Sequence, residues 1–493
     1  MKSADSSGMD SWTGFRLAPQ EGSETWPFIL PVSTAALIAG FICAIAMHPT
    51  VMPCALAALC LYALFGPKQA IKALSLGYLV LFLNPAFHRV PDELSTLRWI
   101  IILVAGLRVL PTLPQRSFRF LLPLLLFFSM VTVLSLATSE NFPISFLKIF
   151  IFTFFAATVL LAFSSFDRFD LDEMRTWFLT IAVVVVLLSV PTFVFPKVGF
   201  CMNGTGFQGI MKHPQALGIF LAPVAAYMGA CLLLRSCPQT PMVWGSWGII
   251  MVVMILTRAR TALVAFFLSL GVSLFIGMIS SRRQFLKPAP SRALISAALI
   301  SIVVGAALIT SPALFKSVEG FMLKGEKGSI RDSFYLSRGA GIFFYWHRFL
   351  EAPVTGHGFG IDPANESVKN TNTFLGIPVS SSTEYGFLPA AFMAQVGLLG
   401  LAFFLPFFAV LVKGALHQVD IGLVAMFFAC IFVNIGEAVF FSPGLDGGYQ
   451  WLLIGLSTAL SWGPPESGGE DEWTGYQEDF EGSSKCTLKR IYS

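Results

Sequence analysis

TALVAFFLSLGVSLFIGMI, residues 261–279, is nineteen residues long and carries no charge. About 18 such residues are enough for a helix to span the hydrocarbon core of a bilayer. Its flanks set its direction. Arg258 and Arg260 precede it, while Arg282, Arg283, Lys287 and Arg292 crowd the loop that follows. Lys and Arg collect in short cytoplasmic loops, so the 280–292 loop is expected inside and the Arg258–Arg260 pair at the outer surface.

Runs of the same kind recur at about 28–47, 51–65, 70–86, 97–112, 119–137, 144–163, 176–195, 214–233, 241–257, 292–311, 386–411, 420–440 and 448–463. With 261–279 they predict an all-α polytopic bundle of about fourteen transmembrane helices. Helices satisfy their own backbone hydrogen bonds, which favours a bundle over a barrel. Counting out from the 280–292 loop puts Lys68, Arg116, Arg168, Arg175, Arg235 and Lys413 inside, and both termini in the cytoplasm. The expected organisation is a tail over 1–27, N-terminal helices over 28–240, a region over 241–411 with one long outer loop at 312–385, C-terminal helices over 412–463, and an acidic, disordered tail over 464–493. No cleavable signal is evident, and the span from Phe28 reads as a signal anchor.

Composition agrees. Of 493 residues, 55% are apolar and 12% charged, too few charges for the surface of a soluble protein of this length. The net charge of +4 has no basic run of the nucleic-acid type. The eight cysteines lack metal or redox spacing, and Cys43, Cys54, Cys60, Cys231 and Cys430 fall inside apolar runs.

Chemistry therefore has two outer segments to work with, 196–213 and 312–385, besides the Arg258–Arg260 pair. Interfacial arginines often only snorkel, but a guanidinium fork also pairs bidentately with phosphate oxygens, and lipid-diphosphate carriers present these at the outer face. In the long loop, Ser337 reads as the N-cap of a surface helix to Glu351, with Ile342, Trp346, Phe349 and Leu350 on its apolar face and His347, Arg348 and Glu351 in water. Pro353 ends it, and Gly356-His357-Gly358-Phe359-Gly360 follows. Glu384 stands at the edge of the next span, a costly place for a carboxylate. His213 and Gln215 open another span, either as caps or as binding groups.

The order of these elements resembles the O-antigen ligase/polymerase superfamily of bacterial envelope-glycan enzymes. The resemblance rests on Arg258-Ala259-Arg260-Thr261, Ser337-Arg338, Pro353-Val354-Thr355-Gly356-His357-Gly358-Phe359-Gly360, Glu384-Tyr385-Gly386, Gly397-Leu398-Leu399-Gly400 and the upstream Lys212-His213-Pro214-Gln215. It covers about residues 200–410. It implies a bacterial inner-membrane glycosyltransferase that joins polyprenyl-diphosphate-linked oligosaccharides, an exopolysaccharide or O-antigen polymerase, without metal or cofactor. Chain-length regulators and export proteins are its implied partners besides membrane lipid. Carried over by position, Arg260 and Arg338 face the lipid diphosphate with Arg258 assisting, Glu384 or His357 orients or deprotonates the acceptor, and His213, Gln215, Gly356, Gly358 and Gly360 line the substrate site. Three departures stand out. Ala259 replaces a usual serine, Ile342 a usual aromatic, and Ser382-Thr383-Glu384 the histidine that ligases carry. The last favours a polymerase over a ligase that transfers glycan to a lipid or protein acceptor. A secondary transporter is the alternative from another class. It is disfavoured by spans almost without acids and by the absence of an internal repeat.

Overall fold

The computed structural model describes residues 32–48, 51–87, 97–112, 117–200, 206–234, 236–280, 339–360, 373–374, 377–378, 386–418, 420–443 and 446–459. They form α1 (Val32–Met47), α2 (Val51–Ala63), α3 (Pro67–Leu81), α4 (Leu97–Val109), α5 (Phe118–Thr138), α6 (Phe142–Ser164), α7 (Arg168–Ser189), α8 (Pro196–Gly199), α9 (Pro214–Leu233), α10 (Pro241–Leu256), α11 (Arg260–Ser280), α12 (Ala340–Glu351), α13 (Leu388–Leu416), α14 (Ile421–Phe432) and α15 (Asp446–Thr458). The one sheet among the described residues is a two-residue antiparallel pair, Thr373–Phe374 with Ile377–Pro378. Apart from that short pair, the regular structure of the described residues is helical. Among them six helices, Phe118–Thr138, Phe142–Ser164, Arg168–Val194, Pro214–Leu233, Arg260–Gly277 and Leu388–Leu416, are long and apolar enough to cross a membrane, and five shorter apolar helices accompany them. The expected 292–311 span and most of the 312–385 loop lie outside the described residues.

The bundle is built around α9, which is buried along nearly its whole length and packs against α11, α14, α10 and α15. Lipid is as apolar as leucine, so helices associate in it through close packing, and small residues permit that. Gly218 of α9 meets Ala259 and Ala262 at the head of α11, and Gly229 meets Trp247 and Phe266. Its neighbours Ala222, Ala225 and Ala226 are fully buried.

Two elements differ from their predicted form. The 420–440 run is not one straight span. Helix α14 stops at Phe432, a single 3-10 turn covers Val433–Ile435, and residues 436–443 are irregular. The cause is Asn434, whose side chain competes with the helical ladder. Its Nδ2 donates to the Cys430 carbonyl at 2.9 Å, and its Oδ1 accepts from the amides of Val439 and Phe440 at 3.1 and 2.8 Å. Trp451 Nε1 donates to the Phe440 carbonyl and Tyr78 to that of Pro443, so this irregular stretch is tied down by protein, as backbone at membrane depth requires.

The second difference is in α12. Gly339 is its N-cap, and its buried face is Tyr345 and Phe349, seated on Ala390, Ala391 and Ala394 of α13. Of the expected face of Ile342, Trp346, Phe349 and Leu350, only Phe349 is buried, and Tyr345 joins it because two rings fit a surface of alanines. Trp346 and Leu350, with Phe343, point outward instead. His347 is exposed as expected, and the Arg348–Glu351 ion pair, 2.8 Å, holds the Glu351 carboxyl below its ordinary range.

Charged groups gather at one end of the bundle. Lys68 pairs with Asp170 at 2.7 Å and Glu173 at 3.0 Å, and Lys72 also pairs with Glu173. Arg175 reaches Asp172 at 2.8 Å and Asp420 at 3.3 Å, and the Tyr227 hydroxyl donates to Asp420 at 3.2 Å. Lys68 and Arg175, assigned to one side by loop charge, do share one end.

Candidate functional site

His213 and Pro214 start α9 at the opposite end of that helix from Tyr227. Proline suits the first helical position, where no amide is needed. The His213 side chain caps the helix, its Nδ1 accepting the Gln215 amide at 3.1 Å. With its lone pair used in this way, the neutral ring carries its proton on Nε2. The preceding segment is anchored on both sides. Asn84 Nδ2 donates to the carbonyls of Val198 and Gly209, both at 2.8 Å, and the amides of Asn84 and Lys212 donate to the carbonyls of Ile210 and Phe82. The Lys212 ammonium lies 4.6 Å from the centre of the Phe82 ring.

Arg258 and Arg260 lie beside this segment. Helix α10 ends at Leu256 and α11 begins at Arg260, with Arg258 between them at φ 54°. The joint packs on the 206–218 stretch. The Phe207 amide donates to the Leu256 carbonyl, and a Cβ on Gly206 would stand 2.6 Å from the Thr257 carbonyl oxygen. One residue past Arg260, Thr261 fills the space beside Gly436. The next residue, Glu437, accepts a 3.0 Å hydrogen bond from Gln215 Nε2. A cavity of about 450 Å3 opens here, lined by Pro85, Lys212, His213, Gln215, Glu437 and Val439 among others.

Three sequence-predicted groups, His213, Gln215 and the Arg258–Arg260 pair, are thus collected around one end of α9 and α11. Glu437 was not among the candidates. Its signal was nonetheless legible, since an acid inside an apolar run is a functional flag in a membrane chain.

The glycine turn sits elsewhere, in a break of α13. Gly397 interrupts that helix at φ 62°, ψ −170°, and the chain over 353–358 fills the gap. A broken helix strands carbonyls on one side and amides on the other. Here the amides of His357 and Gly358 donate to the carbonyls of Ala394 and Gln395, at 3.1 and 2.9 Å, and those of Leu398 and Leu399 donate to Pro353 and Val354, at 2.9 and 3.1 Å. Contact this close requires glycine, since a Cβ on Gly356 would lie 2.3 Å from the Gln395 carbonyl oxygen. The Phe359 amide goes to Ser135 Oγ at 3.0 Å and that of Gly360 to Gln395 Oε1 at 2.9 Å. Lys148 donates to the Gly360 carbonyl.

Every amide from Gly356 to Gly360 is therefore hydrogen-bonded within the protein. The His357 side chain joins that network too. Its Nε2 is 2.9 Å from the Arg348 carbonyl, an acceptor, so that nitrogen is the donor and ties the turn to the end of α12. The aromatic cluster of Phe359, Phe392 and Phe441 connects this joint to the irregular stretch carrying Glu437. Arg338 and Glu384 lie outside the described residues. Among the described residues no group of three or more His, Cys, Asp or Glu is arranged to hold a metal ion. Compared with protein-family models the chain matches none, and a comparison with curated proteins finds no match either.

Proposed function

We propose that the protein is a bacterial inner-membrane glycosyltransferase that joins polyprenyl-diphosphate-linked glycan units at the extracytoplasmic face, polymerising repeat units of an exopolysaccharide or O-antigen. The reading includes about fourteen spans and cytoplasmic termini. The observation that carries it is the convergence of Lys212-His213-Pro214-Gln215 with Arg258-Ala259-Arg260-Thr261 beside a cavity at one end of the bundle. These two elements, distant in sequence, each resemble part of the polymerase pattern.

In this reading an acceptor hydroxyl attacks the anomeric carbon of the donor and the C1–O bond to the lipid diphosphate breaks. Charge develops on the departing phosphate, and preorganised cations stabilise it in a dry site. Arg260 and Arg338 serve there with Arg258, because a guanidinium pairs with two phosphate oxygens at once. Glu384 orients the acceptor, and His357 holds the turn against α12. A secondary transporter also uses broken helices, but leaves their ends open to substrate or ions. In α13 both sides of the break are taken by the 353–358 turn, which favours the enzyme.

The test is the size distribution of envelope and secreted polysaccharide in a strain without the protein, and in strains carrying Arg260→Ala or Arg338→Ala. Loss of long polymer with lipid-linked single repeats accumulating is expected. Full-length glycan stranded on its carrier would mean ligation, and unchanged profiles would bring transport forward.

A further inference from the structure

We propose that Glu437 is the proton acceptor for the attacking hydroxyl, so that the cavity it shares with Lys212, His213 and Gln215 is the acceptor-sugar site. The inference rests on the glycosyl-transfer reading and adds a residue and a subsite to it. The cavity is about 450 Å3, the size of a small-molecule site, and four of its eight lining residues are polar.

Three of those lining groups titrate, and their chemistry separates them. Lys212 carries an ammonium, which donates and does not accept. His213 spends Nδ1 on the Gln215 amide, which leaves its ring a donor at Nε2. Glu437 has a carboxylate, the one group of the three that accepts at two oxygens, and Gln215 Nε2 donates to its Oε1 at 3.0 Å. Gln215 positions this carboxylate and His213 fixes the start of the helix bearing Gln215. Thr261, packed on Gly436, holds the head of α11 and its arginines next to the same stretch.

The step then balances. The acceptor O–H bond breaks and its proton passes to Glu437. The hydroxyl oxygen bonds the anomeric carbon, and the C1–O bond gives its electron pair to the diphosphate. Lys212 and the His213 Nε2–H are suited to hold neighbouring sugar hydroxyls. Glu437 stands on an irregular stretch held by Asn434 and Trp451, so its backbone is fixed by contacts that substitution of Glu437 leaves in place.

Full-length purified protein in nanodiscs is given lipid-linked repeats extracted from a strain lacking it, and chain lengthening is followed. The wild type should lengthen the glycan. Glu437→Gln, equal in size, should lower kcat by about 10²–10⁴-fold with donor KM and melting temperature held. Glu437→Asp should recover part of that loss. A Glu437→Gln rate within about threefold of wild type overturns the proposal and leaves glycosyl transfer standing. So does an inactive Glu384→Gln beside an active Glu437→Gln. If the wild type lengthens nothing, the transferase reading itself falls. Should Glu437→Gln melt early, Glu437→Asp decides, since wild-type kcat there would overturn the assignment and a reduced kcat at unchanged donor KM would support it.

Discussion

Arg258 occupies the left-handed region, at φ 54°, where a residue other than glycine sits at a cost of about 1–2 kcal/mol. Glycine would relieve that cost, against an extra unfolded-state entropy of about 0.5–1 kcal/mol. The backbone therefore gains nothing from arginine over glycine at this joint, which leaves its side chain to the proposed phosphate contact. Strain of this sort is common at functional positions. Arg258→Gly is expected to hold or slightly raise the melting temperature in detergent while long polymer is lost. Normal polymer from that variant would remove Arg258 from the site, and a clear drop in melting temperature would make it structural. At this scale the sequence was partly readable. Arg258, Arg260, His213 and Gln215 could be selected by chemistry and position, and their neighbourhood is what the structure adds. Glu437 is legible as an acid inside the 420–440 run, but the Asn434 side chain that ends α14 ahead of it shows itself only in three dimensions.

Helix α13 is a pair of half-helices whose exposed ends are closed by a foreign turn. The joint depends on two glycines facing each other. A Cβ on Gly397 would lie 2.3 Å from the Val354 carbonyl oxygen, in a backbone region reserved for glycine. Gly397→Ala should cost at least about 3 kcal/mol from strain and clash together, read as a large fall in melting temperature. The control is Gly271→Ala, within α11, where a Cβ meets nothing within 4 Å and where alanine should be neutral or gain up to about 1 kcal/mol. Similar melting for both variants would show that the break does not hold the fold. Gln395 is a milder case. It is buried, and Gln395→Leu strands the Gly360 amide, at about 1–3 kcal/mol. Sequence reading recovered the existence of these elements well, because a run of apolar residues is a local property. It could not show that the P-x-x-G-x-G-x-G turn and the Gly397–Gly400 stretch were two halves of one joint, since that pairing is made by backbone groups every residue carries.

At the scale of the molecule, the two ends of the bundle carry different chemistry. Helix α13 has 29 residues, about 40 Å at the usual rise. Its first half carries α12 and the glycine joint, and its far end leads to Asp420, where Arg175, Tyr227 and the Lys68–Asp170–Glu173 cluster meet. The second end is bound by charge at two strengths. Arg175 and Asp420 are mostly shielded from solvent, so Asp420→Ala leaves a guanidinium short of a partner and should cost up to about 3 kcal/mol. Lys68→Ala, at a more exposed pair, should cost about 0–1 kcal/mol and depend on salt.

The same separation gives a direct test of the orientation that loop charge implies. His347 is 73% exposed on the side chain, on a helix at the end where the cavity opens, and Lys68 lies at the other. In intact cells a membrane-impermeant maleimide should label His347→Cys, and should reach Lys68→Cys only after permeabilisation. Both variants are made with the native cysteines replaced by alanine, because Cys54 is exposed and Cys43 and Cys60 are partly so. The opposite pattern would place the cavity, with Glu437 and the arginine pair, in the cytoplasm. Lipid-linked glycan that has already crossed the membrane would then be out of reach, and the transferase reading would fail on topology alone. Equal labelling of both positions would deny that the two charged ends lie on opposite faces. The predicted pattern would leave the cavity open to the extracytoplasmic side, as the proposed transfer requires.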